Sequence, residues 1–294
     1  VILDTIDSYA VTAFLVLLVV DIVVRSRGFA RPYAPSDSLC SVTMGLFYAG
    51  SGTVIRATVL LAFGALHVRS PLHLGFDGGP VVWVAAFVGV DFAFYWFHRT
   101  LHEVRLGWAA HVNHHSSTHY NYATGLRQSV VEPFIEPLFM APLVLIGFDP
   151  VLVLAALALN FVYQFWPHTE FIKGLDAMGT VFVTPSHHRV HHARNVEYLD
   201  KNYGGTFIVW DKLFGTFEPE REAPDYGITH NLTTHNPFRA TFHEWAAIGR
   251  DLARAGSLSE CAGYLLRPPG WTPDGSGQTS RERQRRYRAE NASG

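Results

Sequence analysis

Long apolar runs constrain this chain most. A segment placed in hydrocarbon must close its backbone hydrogen bonds internally, which leaves only helices or a closed barrel. Residues 9–24 (Tyr-Ala-Val-Thr-Ala-Phe-Leu-Val-Leu-Leu-Val-Val-Asp-Ile-Val-Val) form one such run, residues 38–66 a second and residues 81–97 a third. Each approaches the roughly 20 apolar residues that a helix needs to cross a bilayer. The chain is 48% hydrophobic and only 16% charged over 294 residues, which suits one large domain but is short of charge for a soluble one.

Asp4 and Asp7 precede the first run, and Arg25, Arg27 and Arg31 follow it. A cleaved signal peptide has its positive charge first and a small-residue site afterwards, so this run reads as an uncleaved membrane helix. The arginines place its C-terminal side in the cytoplasm. Val1 in place of Met reads as trimming or an incomplete start. The second run is interrupted by Gly50-Ser-Gly52 and carries Arg56, predicting one tilted or broken crossing or a shorter helical pair. The third holds Asp91 and leads directly into His98. Between Glu132 and Trp166, two shorter apolar segments flank Gly147-Phe-Asp-Pro150, a turn signal that predicts a hairpin dipping in and returning with His168.

The fold class expected is therefore an all-α integral membrane protein. Its bundle would hold about four to five spanning or hairpin helices, with a cytosolic helical cap carrying a histidine-rich dimetal site. The expected divisions are 1–37, an N-terminal membrane helix and basic loop; 38–266, the histidine-bearing domain; and 267–294, a disordered basic tail. That tail is rich in Pro, Gly, Ser and Arg, which bury too little apolar area to offset ordering, and it could touch anionic headgroups.

Net charge is near zero and no basic stripe interleaved with aromatics precedes the last residues, which argues against a nucleic-acid partner. Cys40 and Cys261 stand far apart, which disfavours a disulfide scaffold or a zinc ribbon. Histidine is the informative residue. Eleven of the sixteen fall between positions 98 and 192. His98 and His102 are spaced i, i+4; His111, His114 and His115 follow at i, i+3, i+4. His187, His188, His191 and His192 lie within Thr184-Pro-Ser-His-His-Arg-Val-His-His-Ala-Arg194. On a helix such spacings put imidazoles on one face.

Neutral imidazole suits zinc, copper, iron or nickel, so ligand type alone does not name the metal. Ligand number narrows it. A structural zinc takes four ligands and a catalytic zinc three. The boxes exceed that, with His168 and His187 in reserve, so two ions are the economical reading. HExxH is missing, because His102-Glu103 and His243-Glu244 lack the second histidine; Glu-x-x-His pairs are missing as well. The metal candidates are His98, His102, His111, His114, His115, His168, His187, His188, His191 and His192. Asp91, Glu103, Glu132, Glu170 and Asp211 are the carboxylates available to orient their rings. No catalytic group beyond metal ligands is assigned. A membrane metal transporter is the non-enzymatic alternative, but it would place polar ligands within the spanning segments, whereas these clusters follow or lie between them.

The spacings His98 to His102, His111 to His115 and His188 to His192 resemble the HxxxH, HxxHH and HxxHH boxes of the membrane fatty acid hydroxylase and sterol desaturase superfamily. Leu126-Arg-Gln-Ser129, Tyr163-Gln-Phe-Trp166, Asp200-Lys-Asn-Tyr203 and Trp210-Asp-Lys-Leu-Phe-Gly-Thr-Phe-Glu218 bring it nearest to the alkylglycerol monooxygenase group. The resemblance implies a di-iron centre (two Fe ions), O2, and hydroxylation of a C–H bond on a lipid-like substrate, such as the ether-adjacent carbon of an alkylglycerol. It also implies an external reductant, with tetrahydrobiopterin that of the alkylglycerol enzymes. An electron-donor protein is a further partner to consider, and the bilayer another. A hydroxylase or desaturase of a sterol, carotenoid, fatty acyl chain or specialised metabolite remains open. The expected substrate site is a dry apolar slot between membrane helices, ending at the metals.

Overall fold

The computed structural model describes residues 2–291; Val1 and the last three residues of the expected tail lie outside them. In chain order the helices are α1 (Ile2–Ser26), α2 (Pro35–His67), α3 (Gly79–Glu103), α4 (Arg105–His115), α5 (Tyr122–Gly125), α6 (Glu132–Ile146) and α7 (Pro150–Phe165). There follow α8 (Pro185–His191), α9 (Val209–Phe214), α10 (Pro237–Arg254), α11 (Leu258–Leu266) and α12 (Ser280–Asn291). Among the described residues there are isolated β-bridges but no strands. The all-helical membrane class stands.

Among the described residues, three helices are long and apolar enough to cross a membrane: Ser8–Ser26, Pro35–His67 and Phe76–Glu103. The second differs from the interrupted alternative, because α2 runs unbroken through Gly50-Ser-Gly52. In lipid an opened turn would leave backbone groups with no water to satisfy them, so continuing the helix is the cheaper course. Its 33 residues extend about 50 Å, well beyond a hydrocarbon core of about 30 Å.

Helices α2, α3, α6 and α7 enclose one apolar core that includes Phe63, Val90, Phe94, Met140, Leu152 and Leu157. Between membrane helices such packing stabilises through close van der Waals fit more than through removal of water. Helix α1 lies against α7, where Phe14 stacks on Phe165 at 4.0 Å. The predicted α6–α7 hairpin is present. Gly147 turns it at φ +135°, which a side chain would oppose, and the tip pairs with the α2–α3 connection: Leu74 N donates to Gly147 O (2.7 Å) and Asp149 N to Leu74 O (3.0 Å).

At the other end the spans converge on one layer. Arg25, closing α1, donates to Tyr120 O (2.9 Å) and Glu170 (3.3 Å). Asp37, in the first turn of α2, accepts from Ser117 (2.7 Å) and Arg127 (3.2 Å). Helix α3 carries His98 and His102 into the same layer and then turns sharply into α4. A Cβ at Gly107 would stand 2.8 Å from Thr100 O, so the elbow needs glycine there.

The expectation of a disordered tail is corrected by the structure. Gln278 N donates to Gly270 O (2.9 Å), Trp271 packs on Tyr264 (5.6 Å), and α12 is held by Gln284, which donates to Leu199 O (2.8 Å). One tryptophan and a few backbone bonds fix the loop. The Arg, Gln, Glu and Ala that follow are good helix formers, a property that the low apolar content conceals.

Candidate metal centre

The cap gathers nine of the ten predicted histidines into two groups: His98, His102, His111, His115 and His191, and then His114, His168, His188 and His192. Within each group the nearest ring nitrogens all lie within 4.8 Å of one another. All nine rings are buried. The groups abut, since His115 stacks on His192 at 4.5 Å and His114 meets His115 at 5.3 Å. Helical spacing explains the division. His111 and His115, one turn apart on α4, face α3, whereas His114 faces the α7–α8 connection that carries His168.

Outer partners orient the rings. His98 Nδ1 lies 2.9 Å from Tyr203 O, His191 Nδ1 2.9 Å from Lys201 O, His168 Nδ1 3.1 Å from Phe165 O and His114 Nδ1 3.3 Å from Arg127 O. A carbonyl can only accept, so each Nδ1 holds the proton and each Nε2 keeps its lone pair. His111 Nδ1 is 2.9 Å from the Glu132 carboxylate. The Nε2 atoms point at one another: His98 to His111 at 3.1 Å, His115 to His111 at 3.2 Å, His188 to His168 at 3.0 Å and His192 to His188 at 3.2 Å. Nε2 of His102 and of His191 are buried without any hydrogen-bond partner.

Converging lone pairs repel unless a cation lies among them. Two imidazoles on one ion, each at about 2.1 Å, stand at most about 4.2 Å apart, close to the observed spread. The residues thus fit two neighbouring transition-metal ions. Burial also keeps these imidazoles neutral, as ligands must be. It pushes His111 down to about 3 and His168 to about 4, while His114, His115, His188, His191 and His192 fall well below their ordinary value through burial and neighbouring imidazoles.

His187 stays outside both groups. It is the third residue of α8, its Nδ1 accepts from Thr184 N (3.3 Å) in a capping box, and its ring packs on Phe217. Of the candidate carboxylates, only Glu132 meets a ligand-candidate ring. Asp91 instead accepts from Asn160 (2.6 Å), Thr206 N (2.6 Å), Phe207 N (3.1 Å) and Trp210 (2.8 Å), pinning the 203–210 segment to the bundle. Asp211 accepts from Tyr203 N and Gly204 N, both at 2.7 Å, and so positions the carbonyl that meets His98. Glu103 pairs with Arg99 and Arg281, and Glu170 with Arg25.

Sequence reasoning missed four contributors. Arg127, only 1% exposed, donates to Asn113 O (2.9 Å), Ser116 and Asp37, fixing the carbonyl beside His114. Arg189 binds Glu220 and the carbonyls of Thr169 and Ile172, which hold the segment carrying His168. Asp200 and Asn202 adopt left-handed backbone (φ 55° and 57°), flanking the Lys201 carbonyl that accepts from His191. The readable signal was the residue type, since Asp and Asn tolerate that conformation.

A chamber of about 720 Å³ reaches His102, His115 and His191. Its walls include Arg105, Trp108, Glu244, Asp251 and Trp271. It lies under α10, α11 and the 269–283 segment, so this opening to the candidate metal centre is in the cap, with charged side chains set among apolar and aromatic ones. His230 is on its rim. The four-histidine group does not line it.

Residues 83–216 match the family model described as fatty acid hydroxylase. The chain is 39% identical to "Alkylglycerol monooxygenase" of Homo sapiens over 90% of its own length and 59% of that protein. For the Danio rerio protein of the same name, identity is 36% over 90% of this chain and 60% of the relative. It is 30% identical to "Ornithine lipid hydroxylase OlsE" of Rhizobium tropici over 59% of this chain and 53% of that protein. The chain thus spans less than two thirds of the length of these relatives. No solved structure matches it. The matched region contains all nine gathered imidazoles and the segments that orient them, so the similarity to the fatty acid hydroxylase family falls on the candidate metal centre.

Proposed function

We propose that this chain is the metal-bearing part of an O2-dependent, di-iron membrane monooxygenase that hydroxylates a lipid-like substrate at a C–H bond. One observation carries the reading: two adjoining buried groups of imidazoles turn their Nε2 lone pairs inward, and one group faces a chamber. The ligands would be His98, His102, His111, His115 and His191 for one ion and His114, His168, His188 and His192 for the other. When bound, the iron pair would activate O2 for insertion of one oxygen atom into the substrate, the other leaving as water with two electrons from a reductant.

The protein's own groups prepare that chemistry. Tyr203 O, Lys201 O and Glu132 fix the tautomers of the chamber-side rings, so that no ring must turn as ligands tighten. The buried shell around the histidines keeps water from the reacting atoms. Arg105 bridges Glu244 (2.8 Å) and Asp251 (2.6 Å) in the chamber wall, leaving polar atoms that suit a substrate with a hydroxylated head.

Similarity to the alkylglycerol monooxygenases supports an ether lipid as substrate and tetrahydrobiopterin as reductant. Hydroxylation beside the ether oxygen gives a hemiacetal, whose O–H proton passes to the departing oxygen as the C–O bond breaks, leaving a fatty aldehyde and glycerol. The arginines closing α1 support a cytoplasmic position for the histidine layer. The test is to supply the purified protein with ferrous iron and an alkylglycerol, with and without tetrahydrobiopterin, and to measure fatty aldehyde. Aldehyde that requires the pterin is expected. Its absence, together with hydroxylation of a different lipid, would favour another reaction of the family.

A further inference from the structure

Helix α10 has three distinct sectors. At 100° per residue, Glu244, Ile248 and Asp251 face inward, the two carboxylates onto Arg105 and the chamber. The opposite sector is exposed and apolar: Phe238 is 61% and Phe242 42% accessible, with Ala246 one turn further on. Arg239, Arg250 and Arg254 form a row along one edge of that sector, exposed and without a carboxylate partner among the described residues. Helix α11 extends the surface, since Leu258, Ala262 and Leu266 repeat at four-residue spacing and are exposed.

The stripe continues the lipid-facing side of a membrane helix. Phe238 meets Phe47 of α2 at 5.7 Å, and Ala240 packs with Cys40 and Met44 of the same helix. Because α2 is about 50 Å long and the hydrocarbon core takes about 30 Å, the part of α2 that α10 touches lies near one membrane boundary. An exposed apolar face bordered by arginines, at that depth, is the pattern of a helix lying in the headgroup layer.

We propose that the outer face of α10–α11 is seated in the surface of the bilayer, with Phe238, Phe242, Leu258 and Leu266 among the upper acyl chains and Arg239, Arg250 and Arg254 on anionic headgroups. The seat is a lipid-binding surface separate from the three spanning helices. Because α10 carries the chamber's Glu244 and Asp251 on its other face, the seat puts the chamber wall at the level of lipid headgroups.

The test needs no catalytic activity. The full chain, with Cys261→Ser, is labelled with an environment-sensitive fluorophore at Phe242→Cys or Leu258→Cys, and for reference at Glu222→Cys in the cap. Each is placed in nanodiscs of phosphatidylcholine and phosphatidylserine containing a lipid with a nitroxide near the headgroup end of its chain. The labels at 242 and 258 should lose most of their emission while the reference keeps its own. Equal quenching at all three positions would overturn the proposal. So would labels at 242 and 258 shielded from aqueous iodide but untouched by the nitroxide lipid, because a second copy of the chain would then cover the face. Changing Arg239, Arg250 and Arg254 together to Glu should reduce quenching in the mixed discs but not in pure phosphatidylcholine. An equal response in both compositions would remove the anionic headgroups from the proposal.

Discussion

The two imidazole groups are neighbours built from the same residue type, yet their surroundings differ. His102, His115 and His191 open onto a chamber, and His111 of their group is oriented by a carboxylate, Glu132. The four-histidine group is sealed, and its outer partners are the backbone carbonyls of Arg127 and Phe165, with the Gln128 amide beside His114. Access and adjustability lie on one side, permanence on the other. An ion held on the chamber side would therefore be the one placed to meet small molecules, while one held in the sealed group would steady the pair.

Ligand removal should separate the two most sharply. His191→Ala and His188→Ala are each expected to lose bound iron and to lower activity by at least about 100-fold, with the protein still membrane-inserted. Added imidazole should restore metal to His191→Ala through the chamber but not to sealed His188→Ala, as metal analysis can show. Equal rescue would erase the contrast in access. Next, Arg127→Ala leaves buried Asp37 without its guanidinium partner and frees the carbonyl beside His114. A loss of about 3–5 kcal/mol is expected, read from denaturation in detergent.

A smaller effect is expected from Glu132→Gln. It keeps the ring contact but removes the carboxyl group, which burial pushes up to about 8, and should weaken chamber-side metal affinity about 10–100-fold while leaving the sealed site loaded, as stepwise titration with a chelator would reveal. Equal weakening at both sites would mean that the groups behave as one. Asp200→Gly should be the mildest change. It relieves left-handed backbone strain and should alter thermal stability by no more than about 1 kcal/mol. A much larger fall would give the Asp200 carboxylate, 3.8 Å from His102, a role of its own.

What could be read in advance had a periodic signal. The spanning runs, the α6–α7 hairpin and the histidine boxes each repeat an apolar or imidazole spacing that a helix turns into a face. What could not be read was cooperative or carried by backbone. Gly50-Ser-Gly52 signals a break locally, but in an apolar setting with no water for opened backbone groups, α2 stays whole. His187 has ligand spacing from His191, yet its place at the start of α8 makes it a cap. Asp91 and Asp211 orient segments rather than rings, and the carbonyls of Lys201 and Tyr203 have no side-chain signature. Arg127 stands in the sequence as an ordinary charge, and only its burial in the assembled cap reveals its load.

The 269–283 segment that walls the chamber comes after every gathered histidine in the chain. During synthesis, then, a growing polypeptide possesses its full set of imidazoles before it possesses their cover. Ions can arrive through a broad opening early in the protein's life; later traffic is confined to the finished doorway.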